Sequence, residues 1–378
     1  MRNGRARILH VAKVTGISGA ENHLLLLLPA LDRQRYDVSF AVLTDPRRPA
    51  PEFRRRLEEA GVRTHAVPIR GDTDPLCLLR LARLMRRGRY RLVHTHLIHG
   101  DLYGAVAAKL SGVARLVSSK HGHGSLERPS RLYRLNSLTW PWFDRVITIS
   151  DALQPKTATV EGIPTRIMTT IHYGIDSRAY AAAAAGGEDV RTPLGLSAED
   201  VVAVSVGRLI PVKGYEYLIE AMSRALGAQP RLRLLIAGGG PLEESLRAQV
   251  RRLGLEGQVF LLGRREDVPR LLSQADIFVL PTLGEGFGLV ILEAMAHALP
   301  VVSTTTMAIP EIVVPGETGL LVPPRDSAAL AEAMERLAAD PELRRRLGEA
   351  GHERLERQFT TQAMVAKTEA LYDRLLRH

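Results

Sequence analysis

Residues Ile277 to Pro300, IFVLPTLGEGFGLVILEAMAHALP, constrain the fold more than any other stretch. Ile277 to Leu280 is a short continuous apolar run of the kind a parallel strand buried on both faces needs. It ends in a turn-rich segment, Pro281 to Gly288. The pattern then predicts a helix from near Gly288 to about Ala298, with Pro300 past its end. Strand, glycine-containing loop and helix start together make an anion site, because the amides of Gly286, Phe287, Gly288 and Leu289 lie at the positive end of the helix dipole. Two carboxylates bracket it: Glu285 just before the helix and Glu293 inside it, about 7 Å along the axis from the opening turn. A ligand with its phosphates on the amides would meet Glu293 at its ribose and present whatever hangs off the far phosphate to Glu285. Taken alone, the two glutamates read equally well as ordinary helix residues, one favourable to the dipole and one on a solvated face.

The chain has 378 residues, comfortable for two α/β domains. No apolar run approaches the roughly 18 residues that span a bilayer, which predicts a cytoplasmic protein. A single cysteine, Cys77, excludes an internal disulfide and a cysteine metal cluster. Residues 1–178 hold 29 Lys and Arg against 15 Asp and Glu, the remainder 22 against 26, so the net charge of +10 belongs to the first half. Its densest piece is LCLLRLARLMRRGRYRL, Leu76 to Leu92. There Leu76, Leu79, Leu81 and Leu84 alternate with Arg80, Arg83, Arg86, Arg87 and Arg89 at helical spacing, a basic amphipathic helix able to lie on an anionic membrane surface. Nucleic acid is not an expected partner, because no binding motif and no interleaved aromatics accompany the arginines.

Strand-like runs at Arg7–Lys13, 37–44, 62–69, 92–97, 115–121, 146–150 and 167–172 alternate with helical patterns and predict a parallel doubly wound sheet. The loop Val14-Thr-Gly-Ile-Ser-Gly-Ala-Glu after the first strand is a second anion-cradling turn, with close backbone approach assured at Gly19. Asp72-Thr73-Asp74 precedes Pro75 and a helix, so it reads as a cap rather than a metal site. His94, His96, His99, His121 and His123 gather near strand ends without the compact ligand spacing of a zinc site. Residues 179–195, rich in alanine and without core periodicity, read as a linker between domains at 1–178 and 196–356.

A second set of strands follows at Val201–Val206, Leu232 onward, Val259–Gly263, 301–303 and 320–322. Gly207, Arg208, Lys213 and Gly214 follow the first of these, as phosphate ligation needs: cations beside backbone that can be approached closely. Leu232 to Gly240 ends in a triple-glycine turn. Residues 357–377 form a last amphipathic helix.

The Pro-x(3)-Glu-Gly-Phe-Gly run followed by Glu-Ala-Met-Ala resembles the signature of the retaining glycosyltransferases called family 4 or group 1, whose two glutamates have seven residues between them, as Glu285 and Glu293 do. The resemblance spans nearly the whole chain and is most specific over 201–326. It implies the GT-B fold: two facing Rossmann-like domains with an interdomain cleft, the last helix (357–378) crossing back to the first. It further implies that Arg208 and Lys213 grip a leaving diphosphate, that Gly19, Gly207 and Gly240 line the donor, that Arg264 or Arg265 lies where the base is held, and that His121 and Glu285 hold the donor sugar.

The activity so implied is metal-independent transfer from a nucleotide-diphosphate sugar to a glycan or lipid-linked acceptor in cell-envelope synthesis, with no cofactor. A noncatalytic nucleotide-sugar binder and a GT-B epimerase are the alternative readings. Three departures from the family pattern stand out. Ser18 replaces a glycine, and Ala298 and Met307-Ala308 stand where glycines are usual, the last two expected to reshape the pocket near the sugar.

Overall fold

The computed structural model describes residues 4–47, 49–122, 131–185 and 189–377. The chain divides into two compact units, Met1–Gly174 with Thr361–His378, and Ile175–Thr360. The first holds a seven-stranded sheet of β1 (Ala6–Lys13), β2 (Tyr36–Thr44), β3 (Arg63–Pro68), β4 (Leu92–His96), β5 (Arg115–Lys120), β6 (Arg145–Thr148) and β7 (Met168–Thr170), in the order β3-β2-β1-β4-β5-β6-β7. The second holds β8 (Val201–Val206), β9 (Leu232–Ala237), β10 (Val259–Gly263), β11 (Ile277–Leu280), β12 (Val301–Thr304) and β13 (Gly319–Val322), in the order β10-β9-β8-β11-β12-β13. All pairings in both sheets are parallel.

Parallel strands covered by helices on both faces favour continuous apolar runs, and β11 is one: Ile277, Phe278, Val279 and Leu280 are each 0% exposed. In each sheet the strand order reverses beside the first strand, between β1 and β4 and between β8 and β11. Chain leaving those neighbours departs in opposite directions and opens a crevice at their C-terminal ends.

In the first unit the helix Thr361–Leu376 closes the sheet, sharing a core with Leu24, Leu27 and Phe40 through Met364, Leu371 and Tyr372. Asp373 accepts from the Tyr36 hydroxyl at 2.5 Å, and Glu369 from Arg35 at 2.9 Å. The helix expected over 357–377 is present as Thr361–Leu376, while residues 357 and 358 end a separate helix, Pro341–Gln358. The break falls at Phe359, whose carbonyl accepts from the Ile175 amide at 3.0 Å and so is withdrawn from the helix ladder.

The expected linker is also structured. Asp176 caps a helix, Ser177–Ala183, by accepting from the Ala179 amide at 3.0 Å, and this helix packs on Leu289–Ala296 within the second unit. Alanines that carry no core periodicity still favour helix, which is why a pattern-based reading missed it. Ala298 and Met307 both hold left-handed backbone, φ 52 and 45, as glycines would without strain. Ala298 lies past the C-terminus of Leu289–Ala296, at the far end from Gly288, so it does not border the anion site as expected. Met307 does approach it: the next amide, of Ala308, lies 3.4 Å from the Glu285 carbonyl oxygen. Among the described residues no helix is long and apolar enough to cross a membrane.

Candidate active site

In the second unit the turns after β8, β9 and β11 lock together through their backbones. Gly238, at φ 154, presses on the turn after β8, where a Cβ on it would stand 1.8 Å from the Gly207 carbonyl oxygen. The Leu209 amide donates to the Gly239 carbonyl at 3.0 Å, and a Cβ on Gly240 would lie 2.4 Å from the Leu209 carbonyl oxygen. On the other side Gly214, at φ 67, backs onto the Pro281 carbonyl at 2.2 Å from its would-be Cβ, and the Leu283 amide donates to Val212 at 2.7 Å. Only glycine admits such approach.

The consequence is chemical: Lys213 and Glu285, from different loops, form an ion pair with side chains 16% and 20% exposed. Arg208 stands exposed on the same loop as Lys213. Arg264 is exposed just past β10, whereas Arg265 is engaged by Asp267 at 2.8 Å, so the structure separates the two arginines that the sequence left equivalent.

Gly286, Phe287 and Gly288 are buried, and Gly288 caps Leu289–Ala296 with φ 95. The Phe287 side chain belongs to the core, 6.0 Å from the Phe359 ring centroid. Glu293 accepts a hydrogen bond from Tyr180. Burial pushes its carboxyl up to about 7, a rise the Tyr180 hydroxyl restrains. Tyr180, on the helix within the expected linker, was invisible to sequence reasoning. Asp176 three residues before Ala179 is the capping signal that could have found it.

In the first unit a cavity of about 350 Å³ opens at the C-terminal ends of β1, β4 and β5, lined by Lys13, Thr15, His99, Ser119, Lys120 and His121 among others. Lys120 is buried and bridges Asp101 at 2.6 Å and Glu161 at 2.7 Å, its ammonium 4.4 Å from the Trp140 ring centroid. Burial alone would lower its pKa, but the two carboxylates hold it above the usual lysine range. Gly19 opens the helix Gly19–Ala30. Ser18 caps it, with the Glu21 carboxylate accepting from the Ser18 amide at 3.0 Å and hydroxyl at 2.6 Å, so the departure from glycine closes a capping box.

His121 corrects an expectation. Its Nε2 lies 2.9 Å from His96 Nδ1 and its Nδ1 lies 2.6 Å from the Tyr173 hydroxyl. A sugar hydroxyl therefore reaches a His121 nitrogen only by displacing one of these partners. Burial, with Lys120 adding, lowers its pKa to about 3. Asp74 caps its helix as expected, accepting from Leu76 at 3.0 Å and Cys77 at 3.1 Å, and His99 bonds Asp72 at 2.8 Å. His123 lies outside the described residues.

On the helix Pro75–Gly88 and its cap, Arg80, Arg83, Arg86, Arg87 and Arg89 are all exposed. The leucines divide: Leu81 is buried, while Leu76 and Leu79 are 55% and 56% exposed, so the apolar stripe faces both core and solvent. Arg80, Arg83 and Arg87 join Arg7 and Arg63 around a second cavity, of about 430 Å³.

Residues 188–354 match the family described as glycosyl transferases group 1, and residues 17–178 match glycosyltransferase family 4. The GDP-mannose-dependent alpha-(1-6)-phosphatidylinositol monomannoside mannosyltransferase of Mycolicibacterium smegmatis is 33% identical over 283 residues, 69% of this chain and 72% of that protein. This chain belongs to the group 1 glycosyltransferases. The N-acetyl-alpha-D-glucosaminyl L-malate synthase of Bacillus anthracis is 29% identical over 214 residues, and the match spans 57% of this group 1 chain but only about half, 55%, of that relative. Among solved structures, Anabaena HepE in complex with UDP superposes with a TM-score of 0.83 at 23% identity, over 97% of this chain and 99% of that one, which establishes the shared fold.

Five histidines of this glycosyltransferase, His10, His23, His94, His96 and His121, have pKa values lowered from 6.5 chiefly by burial, to about 3 for His10 and His121. The unfolded chain binds protons there that the folded chain does not, so stability present above pH 6.5 is lost as pH falls towards the folded values. Each histidine contributes a slope of up to about 1.4 kcal/mol per pH unit. Urea denaturation from about pH 7 to about pH 5 is expected to show a steep fall, and a flat profile would contradict the neutral burial of these rings.

Proposed function

We propose that this chain is a metal-independent retaining glycosyltransferase that moves a sugar from a nucleotide-diphosphate donor to a glycan or lipid-linked acceptor in cell-envelope polysaccharide or lipopolysaccharide synthesis, acting at the cytoplasmic face of the membrane. The observation that carries the reading is the meeting of Lys213 and Glu285 where the loops after β8 and β11 are clamped together, with Arg208 exposed on the same loop as Lys213. As the sugar–phosphate bond breaks, negative charge grows on the leaving diphosphate. A placed donor such as Lys213 or Arg208 is worth roughly 3 kcal/mol against that charge.

Lys213 is already paired with Glu285. The diphosphate replaces Glu285 as its partner, and the released carboxylate is then available to sugar hydroxyls. Glu293 holds the ribose, Arg264 the base, and the amides of Gly286 to Leu289 the far phosphate. The acceptor hydroxyl attacks the anomeric carbon on the face the diphosphate leaves. The new carbon–oxygen bond forms as the old one breaks, and the hydroxyl proton passes to a phosphate oxygen. No general base is then required.

The relatives support this direction by the activities in their names, mannosyl transfer from GDP-mannose in one of them. The exposed arginines with Leu76 and Leu79 suit an anionic lipid surface, along which a lipid-linked acceptor would be met.

A calorimetric panel of UDP-, GDP-, ADP- and dTDP-sugars tests the donor reading. Lys213→Ala is expected to weaken diphosphate binding by about tenfold or more, whereas Glu285→Ala leaves it equal or tighter yet abolishes transfer, since one charge at such range is worth one to a few kcal/mol. Equal loss of binding in both variants would count against the exchange of partners. Vesicle sedimentation tests the surface: binding to anionic but not neutral vesicles at low salt, weakened by Arg83→Glu with Arg87→Glu, is expected, and indifference to lipid charge would remove the membrane assignment.

A further inference from the structure

Seven side chains of the first unit are joined end to end by hydrogen bonds. Ser119 Oγ lies 2.7 Å from His94 Nε2, and His94 Nδ1 lies 2.6 Å from the Tyr372 hydroxyl. That hydroxyl lies 3.3 Å from His10 Nε2, and His10 Nδ1 lies 2.9 Å from His96 Nε2. His96 Nδ1 meets His121 Nε2 at 2.9 Å, and His121 Nδ1 meets the Tyr173 hydroxyl at 2.6 Å. The rings come from β1, β4 and the end of β5, so the register of three adjacent parallel strands builds the row. Lys120, next to His121, is tied to Asp101 and Glu161, and His23 stacks on Tyr173 at 4.3 Å.

His10, His94 and His96 place ligand atoms within 4.8 Å of one another, which raises a metal as the alternative. The rings speak against it. His10 and His96 stack at 5.2 Å with planes 9° apart, and His94 and His96 at 4.3 Å and 30°. Lone pairs of stacked rings do not converge on one point. Two nitrogens about 2.0–2.1 Å from a tetrahedral zinc stand roughly 3.3 Å apart, whereas His10 Nδ1 and His96 Nε2 are 2.9 Å apart, a hydrogen-bond distance.

A neutral imidazole has one N–H and one lone pair. Every ring here uses both nitrogens within the row, so the tautomer of one dictates that of the next. Only two arrangements satisfy all six contacts with the Tyr372 hydroxyl hydrogen also used within the row: every histidine protonated on Nε2, or every histidine protonated on Nδ1. We propose that the row is a tautomer relay in which His10, His94, His96 and Tyr372 are positioning residues that set which nitrogen of His121 carries its proton. Passing from the first arrangement to the second takes one proton in at the Tyr173 oxygen and releases one at Ser119 Oγ. Each hydrogen in between hops one place, and no imidazole is charged at the end. Ser119 at one end of the row and His121, next to Tyr173 at the other, both line the 350 Å³ cavity of the first unit. Its bearing on transfer rests on the function proposed above; its geometry does not.

Histidine-selective ¹⁵N labelling tests it, since pyrrole-type and pyridine-type nitrogens resonate far apart. A buried N–H without an acceptor costs more than an unpartnered lone pair. Tyr173→Phe is therefore expected to drive all four rings to the Nε2–H form, and Ser119→Ala to drive all four to Nδ1–H. The informative rings are the remote ones, His94 in the first variant and His121 in the second. Tyr372→Phe is expected to uncouple His94 from Tyr173→Phe. Unchanged tautomers at His10 and His96 between the two end variants, or a stoichiometric transition metal in the purified protein, would overturn the relay. The spectra need no substrate, so a switching row in a protein without transferase activity would sink the proposed function and leave the relay standing.

Discussion

Backbone contact between the turns after β8, β9 and β11 is the constraint on which the donor chemistry depends. Those turns meet at distances that no side chain tolerates, with Gly238 on Gly207 and Gly214 on Pro281. Without that approach Lys213 and Glu285 would not be neighbours. The glycines are thus less a phosphate-binding motif in themselves than the reason that charged groups from distant loops share one place.

The two units solve opposite electrostatic problems. In the second, Lys213 and Glu285 are partly exposed and paired across two loops. In the first, burial strips the histidines of charge, and each ring nitrogen of His10, His94, His96 and His121 has a hydrogen-bond partner. Beside them Lys120 is buried between two carboxylates, Asp101 and Glu161. A row of neutral rings beside a paired lysine transmits proton position without the desolvation cost of an imidazolium.

Much of this was legible beforehand for a physical reason. Strands buried on both faces announce themselves as apolar runs, as β8 and β11 do, and all thirteen strands overlap the strand-like segments read from the sequence. The Gly-Arg and Glu-Gly-Phe-Gly segments mark the loops after β8 and β11 because close backbone approach demands glycine. What escaped was tertiary. Tyr180 reaches Glu293 from a helix with no core pattern, and His10 looks like one polar residue in an apolar strand until Tyr372, 362 positions away, is brought against it. His121 was singled out for a ligand, but its two nitrogens are spoken for by residues 25 and 52 positions distant. Periodicity carries no signal for such pairs.

The central claim is that the clamped loops of the second unit receive a diphosphate in exchange for an internal ion pair. A crystal structure of the protein with UDP or GDP measures this directly. The account requires a phosphate oxygen within hydrogen-bond distance of Lys213 Nζ and of the Gly288–Leu289 amides, with Lys213 and Glu285 parted. A nucleotide bound elsewhere, with the Lys213–Glu285 pair intact, would contradict it.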